Sequence, residues 1–202
     1  MSLMHALLLA TGYLGQALFA GRVVYQWIAS ERAGRVVVPR GYWGMSLLGS
    51  ALVLAYGVGR HNLVFVMSVL PGTVIAYLNL RIRKKARRRK LVPWAVALLA
   101  VVVWAAWKQP RVGEGVWAVI GLVGSLLWGL RHVFQWWVSQ RRGEPTLPAS
   151  FYLLSLAGSF FLLVYAIRHV DYVMILGYAF NSVPYIRILL LLRPATAAAR
   201  SS

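Results

Sequence analysis

The feature that most constrains this chain is that it contains itself. The stretch from Arg22 to Tyr56, RVVYQWIASERAGRVVVPRGYWGMSLLGSALVLAY, returns 109 residues later as RHVFQWWVSQRRGEPTLPASFYLLSLAGSFFLLVY, from Arg131 to Tyr165. Aligned without a gap, the copies are identical at 14 of 35 positions. The shared residues include Arg22/Arg131, Gln26/Gln135, Trp27/Trp136, Ser30/Ser139, Gly34/Gly143, Pro39/Pro148, Ser46/Ser155, Gly49/Gly158, Ser50/Ser159 and Tyr56/Tyr165. Arg, Gln, Trp, Gly and Pro rarely fall into register by composition alone. A duplicated chain must be read from what its two copies build together.

What a copy can build is limited by its solvent. The chain is 60% hydrophobic and 13% charged, whereas a water-soluble domain carries about a quarter charged residues. Apolar runs near 20 residues recur, each long enough to cross a hydrocarbon core of roughly 30 Å. The chain reads as an all-α integral membrane protein. Seven spans are expected: about Leu3–Ile28, Tyr42–Val58, a third ending near Leu80, Leu91–Trp107, Val116–Val138, Phe151–Ile167 and Tyr172–Leu192. The first segment lacks a basic start and belongs to the first copy, so it is expected to be a retained helix rather than a cleaved signal.

The last three spans repeat the first three, giving 3 + 1 + 3. Residues 1–80 form the first three-helix repeat, 81–114 a basic loop and linker helix, and 115–202 the second repeat. A three-span unit ends on the side opposite its start, so one extra crossing lets both copies keep the same orientation. Eight of the 22 basic residues lie in the run RIRKKARRRK, Arg81–Lys90. Such a cluster marks a cytoplasmic span end facing anionic headgroups and needs no nucleic acid. Placing it in the cytoplasm puts the N-terminus outside and the C-terminus inside.

Arg22 and Arg131 fall inside spans. Gln26 and Ser30 follow Arg22 at i+4 steps on one helix face, and Gln135 and Ser139 repeat the stripe. An intramembrane arginine is expensive and faces a cavity, a partner or an anion. Two symmetry-related guanidinium groups suit a phosphate or pyrophosphate group, because arginine donates bidentately, and Gln26 and Gln135 are expected to help hold it. The competing reading is that both snorkel to headgroups while the glutamines bond neighbouring helices. Asn79, Asn181 and Arg187, in the third span of each copy, are expected near the same cluster. Trp27 and Trp136 are placed at a sugar or at the membrane interface. Ser46–Gly49–Ser50 and its copy read as a small-residue packing surface. Pro71–Gly72, Asn181 and Pro184 read either as kinks or as backbone opened toward a cavity.

No enzyme constellation can be drawn. Cysteine is absent, which excludes disulfides and thiolate chemistry. The acids are Glu31, Glu114, Glu144 and Asp171, all near loops, and the four histidines lack metal-ligand spacing. No cofactor and no metal are expected.

The run R-x-x-[YF]-Q-W-x-x-S, then P, then [YF]-[WY]-x-x-S-x-x-G-S and a later Tyr, resembles the lipid A biosynthesis N-terminal domain. That small membrane domain also occurs fused ahead of lipid-A-disaccharide synthase, whose glycosyltransferase region has no counterpart here. The three-helix unit is also similar to the PQ-loop and SemiSWEET/SWEET transporters, whose layout is 3 + 1 + 3. Gln26 and Gln135 resemble the Gln of the PQ motif, but Tyr25 and Phe134 replace its Pro, which puts a proline-hinged gate in doubt. The resemblance implies a protein of the bacterial inner membrane that takes part in envelope glycolipid assembly. It would bind and translocate a lipid-linked or phosphorylated sugar by alternating access. A non-catalytic membrane partner for a glycosyltransferase and a carrier of free sugar stay open beside it.

Overall fold

The computed structural model describes residues 3–39, 41–82, 115–144 and 146–198. Among the described residues there is no strand. The helices are α1 (Leu3–Ala33), α2 (Gly41–Gly59), α3 (Leu63–Ile82), α4 (Val116–Arg142), α5 (Ala149–Arg168) and α6 (Tyr172–Ala198). All six are long and apolar enough to cross a membrane. They begin within about two residues of the expected spans and run past several of their ends, because a helix need not stop where the hydrocarbon does. The expected span Leu91–Trp107 and all but the start of the basic run lie outside the described residues.

Helix contacts form a closed cycle: α1 on α2, α2 on α3, α3 on α4, α4 on α5, α5 on α6 and α6 on α1. Within a copy, neighbouring helices run antiparallel, as Gly12 facing Tyr56 and Gly15 facing Gly49 and Val53 require. A Cβ on Gly15 would stand 3.0 Å from the Gly49 carbonyl oxygen, and one on Gly158 3.3 Å from the Gly124 carbonyl oxygen. Only glycine lets both backbones come this close.

Between copies the helices run parallel. Along the α3–α4 seam, Val64 lies against Gly121, Pro71 against Gly129 and Asn79 against Gln135. Along the α6–α1 seam, Val173 lies against Gly12, Gly177 against Gln16 and Arg187 against Glu31. Val64–Gly121 and Val173–Gly12 are the same contact with the copies exchanged. The two copies therefore point the same way, and the chain leaves α3 at one face and enters α4 at the other.

Connections at the two faces differ in kind. At the loop end, the stretches that follow α1 and α4 lead to the second helix of each copy. Gly34 and Gly143 adopt left-handed φ of 60° and 71° there, the usual way to stop a helix. The Ser30 hydroxyl accepts from the Val37 amide (3.1 Å) and the Ser139 hydroxyl from the Thr146 amide (3.0 Å), folding each loop back. At the turn end, three residues suffice. His61 and Val170 hold equivalent left-handed positions, φ 53° and 52°. A β-branched residue in that region is strained by about 1–2 kcal/mol.

The cycle is apolar outside, and its interior holds polar groups among an apolar core. Leu48, Leu126, Phe160 and Val183 are among the large exposed side chains, while Gln26, Asn79, Arg131 and Gln135 are buried. An exterior this apolar departs from that of a water-soluble protein and matches a lipid surround. α3 runs unbroken through Pro71, and the adjacent Gly72 gives the His132 imidazole room against its backbone.

Candidate functional site

Arg22 reaches inward from α1 and is 4% exposed; Arg131 reaches inward from α4 and is 2% exposed. Neither snorkels. Each guanidinium donates through Nη1 to a serine of the next helix, Arg22 to Ser46 Oγ (2.7 Å) and Arg131 to Ser155 Oγ (2.9 Å). Those hydroxyls in turn donate to the carbonyl oxygens of Tyr42 (2.7 Å) and Phe151 (2.5 Å). The same serines therefore serve as arginine partners as well as small packing residues.

Aromatic faces complete each setting. The Arg22 guanidinium lies 4.4 Å from the Phe19 ring centroid and 5.3 Å from that of Tyr42. Arg131 lies 3.4 Å from Trp128 and 5.1 Å from Phe151. Phe19 and Trp128 stand one helical turn before their arginines, so the i−3 spacing brings each ring beneath its cation. Cation–π contacts are worth up to about 2 kcal/mol when desolvated. They offset part of the roughly 2.5–3.5 kcal/mol that insertion scales assign to an arginine at mid-span.

Both arginine Nε atoms are buried without a hydrogen-bond partner. The Arg131 guanidinium faces the Tyr185 hydroxyl and lies within Coulombic reach of Arg22 and Tyr42. Among the described residues neither has a carboxylate at ion-pair distance; the two ion pairs are Arg60–Asp171 and Arg187–Glu31. His132 lies beside them, with its ring edge-on to Phe151 and its Nδ1 also unpartnered.

The glutamines lie one turn further toward the loop end and part company. Gln26 donates across the interior to the Tyr152 hydroxyl (2.5 Å), joining α1 to α5, which are not neighbours in the cycle. Gln135 accepts from Asn79 (3.0 Å) and donates to Ser139 Oγ (2.8 Å) and the Thr146 carbonyl (3.1 Å). Gln26 Oε1, Asn79 Oδ1 and Trp43 Nε1 are buried and unpartnered. Hydroxyl groups of a sugar match this mixture of donors and acceptors.

The other expected residues sit elsewhere. Asn181 is buried, but its amide donates to the Gly177 carbonyl of its own helix (2.7 Å). Arg187 is on the surface, paired with Glu31 at 2.6 Å. Trp27 donates to the same Glu31 at 3.0 Å, and Trp136 is half-buried. These last three mark the loop-end rim rather than the interior.

At the turn end, a second set of bonds crosses between copies. The Tyr56 hydroxyl donates to Asp171 (2.9 and 3.0 Å to its two oxygens), with Arg60 3.8 Å from the same carboxylate. The Tyr165 hydroxyl donates to Asn62 Oδ1 (3.5 Å). Asp171 and Asn62 occupy matching positions just before α6 and α3. Each also accepts a backbone amide of the helix it precedes, from Met174 (3.1 Å) and Phe65 (3.3 Å). Ser68 and Tyr178 meet below them at 3.2 Å. Sequence reading missed Tyr56, Tyr152, Tyr165 and Asp171. For Tyr56, Tyr165 and Asp171 the recurrence of Tyr and of Asn or Asp at the 109-residue offset was the available signal; Tyr152 has Trp43 as its counterpart and carried none.

A family model for the lipid A biosynthesis N-terminal domain matches this chain twice, at residues 11–81 and 120–190. The two matches are offset by the same 109 residues as the repeat. The chain is 29% identical to a lipid-A-disaccharide synthase of Chlamydia abortus, over 91% of this chain and 33% of that protein. For the synthases of Chlamydia felis and Chlamydia caviae the identities are 26% and 25%, over 90% and 86% of this chain and 32% and 31% of those proteins. The chain thus spans about a third of the length of the curated relatives it matches. No solved structure matches it.

Proposed function

Given that the chain belongs to the lipid A biosynthesis N-terminal domain family, we propose that it binds the phosphate-bearing headgroup of a lipid-linked or phosphorylated sugar and moves it across the bacterial inner membrane during envelope glycolipid assembly. The observation that carries this reading is the pair of buried guanidiniums, each with an unpartnered Nε and neither with a carboxylate partner among the described residues. Two uncompensated cations in a low-dielectric interior call for an anion. Arg22 and Arg131 would hold the phosphate, and Gln26, Gln135, Asn79 and Trp43 would meet the sugar. Trp27, Trp136 and Arg187 would frame the loop-end entrance, with Asn181 beside the path.

Alternating access is the mechanism we propose for translocation. The Tyr56–Asp171 and Tyr165–Asn62 bonds tie the copies together at the turn end, and the glutamine bonds do so nearer the loop end. Releasing one set while keeping the other would expose the arginines to one face at a time. Seven helices in a SWEET-like 3 + 1 + 3 arrangement, with the N-terminus outside and the C-terminus in the cytoplasm, complete the proposal. The direction rests on the basic run near Arg81–Lys90. We assign no catalytic step to the chain.

A second reading has its own support. The relatives are synthases of which this chain matches only a third, so a stretch of this type adjoins a glycosyltransferase in them. A non-catalytic membrane partner that docks such an enzyme through Arg81–Lys90 would use that adjacency. A carrier of free, neutral sugar fits least, since it would leave both guanidiniums unbalanced.

The deciding experiment is reconstitution into vesicles with a phosphate-bearing glycolipid. Arg22→Gln with Arg131→Gln should abolish headgroup binding and translocation, whereas neutralising the basic run should leave them intact. Full transport in the double variant would sink the assigned site. Loss of enzyme capture on neutralising the run, with no transport at any time, would favour the docking role.

A further inference from the structure

The interior also specifies how much charge its ligand brings. Arginine stays protonated in proteins, so the site holds two fixed positive charges. The three acids among the described residues lie away from it: Asp171 at the turn end with Tyr56 and Arg60, Glu31 at the loop end with Arg187, and Glu144 exposed in the loop after α4. The groups touching the arginines are serine hydroxyls, aromatic rings and, at Arg131, the Tyr185 hydroxyl. His132, the nearest titratable nitrogen base, can add positive charge but no negative charge. The elements packed on its ring offer Gly72 from α3 and Phe151 from α5, neither of which ionises.

The hydrogen-bonding edges narrow the choice further. In both copies the serine occupies Nη1 while Nε has no partner, so each guanidinium offers a ligand its Nε side, from which arginine forks onto two oxygens at once. Two forks closing on one phosphorus need more than two free oxygens. A phosphate monoester has three and carries two charges near neutral pH; a phosphodiester has two and carries one. A diphosphate linkage offers one phosphorus per fork and again two charges.

Resting on the anion-site reading above, we infer that the site is matched to a doubly charged phosphoryl group, a terminal phosphate monoester or a diphosphate linkage. It discriminates against the singly charged phosphodiester of common phospholipids. A bilayer rich in phosphodiester headgroups then leaves the site available to its substrate.

Binding to the purified full chain in detergent at pH 8 tests this with two matched pairs. Glucose 1-phosphate against its methyl phosphodiester is the water-soluble pair. Phosphatidic acid against phosphatidylglycerol is the lipid pair, and whichever pair binds identifies the source of the phosphoryl group. Within that pair the monoester should bind roughly 10- to 100-fold tighter, the range of one to two charge-assisted hydrogen bonds. For the soluble pair the preference should fade as pH falls through about 6, where the monoester takes up a proton. Arg22→Gln should reduce the preference to within about threefold while diester binding persists. Equal affinity for monoester and diester in the wild-type chain would overturn the charge matching and leave the anion site standing. Absence of binding by all four, or equal binding of uncharged glucose, would overturn both.

Discussion

Set against each other, the two copies agree at the arginines and diverge on either side of them, toward the turn end and toward the loop end. Arg22–Ser46 and Arg131–Ser155 are the same bond at 2.7 and 2.9 Å, with an aromatic ring one turn before each arginine. At the turn end Tyr56 donates to a carboxylate that Arg60 also approaches, whereas Tyr165 meets an amide at 3.5 Å. The glutamines differ too: Gln26 spans the interior and Gln135 bonds along its own seam. Divergence has thus acted on the bonds that tie one copy to the other and has kept the arginine–serine bonds, while the rings beside them change from Phe19 and Tyr42 to Trp128 and Phe151. A symmetric anion site held by asymmetric fastenings lets one side loosen before its twin.

The largest test of this contrast removes what the copies share. Either Arg22→Gln or Arg131→Gln should weaken headgroup binding by at least about tenfold, and by similar factors, since each deletes one charge-assisted fork. Strongly unequal losses, read by titration calorimetry, would break the equivalence. Ser46→Ala and Ser155→Ala come next. Each strands a buried Nη1 and should cost about 1–3 kcal/mol, again alike, measured as a loss of thermal or denaturant stability in detergent.

The tyrosines should behave unequally. Tyr56→Phe removes a hydrogen bond to a carboxylate, about 1.5–3 kcal/mol, while Tyr165→Phe removes a long neutral one worth about 0.5–1 kcal/mol. Asp171→Asn should bring the two losses together; if the gap persists in that background, the asymmetry lies elsewhere. Smallest of all is the rim. Arg187→Gln breaks an exposed pair with Glu31 and should leave the thermal midpoint unchanged.

Much of the architecture was legible because the membrane simplifies the code. An apolar run has few fates, and an arginine such as Arg22 inside one must be accommodated in the interior or at the edge. The duplication supplied a second reading of every ambiguous residue, which is why the Arg–Gln stripe stood out. Azimuth around a helix was harder. Arg187 has the same chemistry as Arg131, but it projects from α6 to the surface, and nothing in its local sequence distinguished the two.

Partners across the cycle were least legible. Ser46 lies 24 residues from Arg22, and a serine flanked by glycine reads equally well as packing. The recurrence of that 24-residue spacing in Ser155 and Arg131 was the missed clue. Tyr152 and Asp171 meet residues more than 110 positions away, a distance that no helical period encodes.

The parallel seams α3–α4 and α6–α1 carry a topological consequence. Exchange of the two copies maps the ring onto itself, although the polypeptide joins them at only one seam. Two separate molecules, each contributing a single triple of helices, would assemble the same ring as a homodimer. What fusion adds is fixed stoichiometry, exactly one of each kind. Only then is a mutation confined to one half, so that an aspartate could stand at position 171 without also replacing its counterpart Asn62.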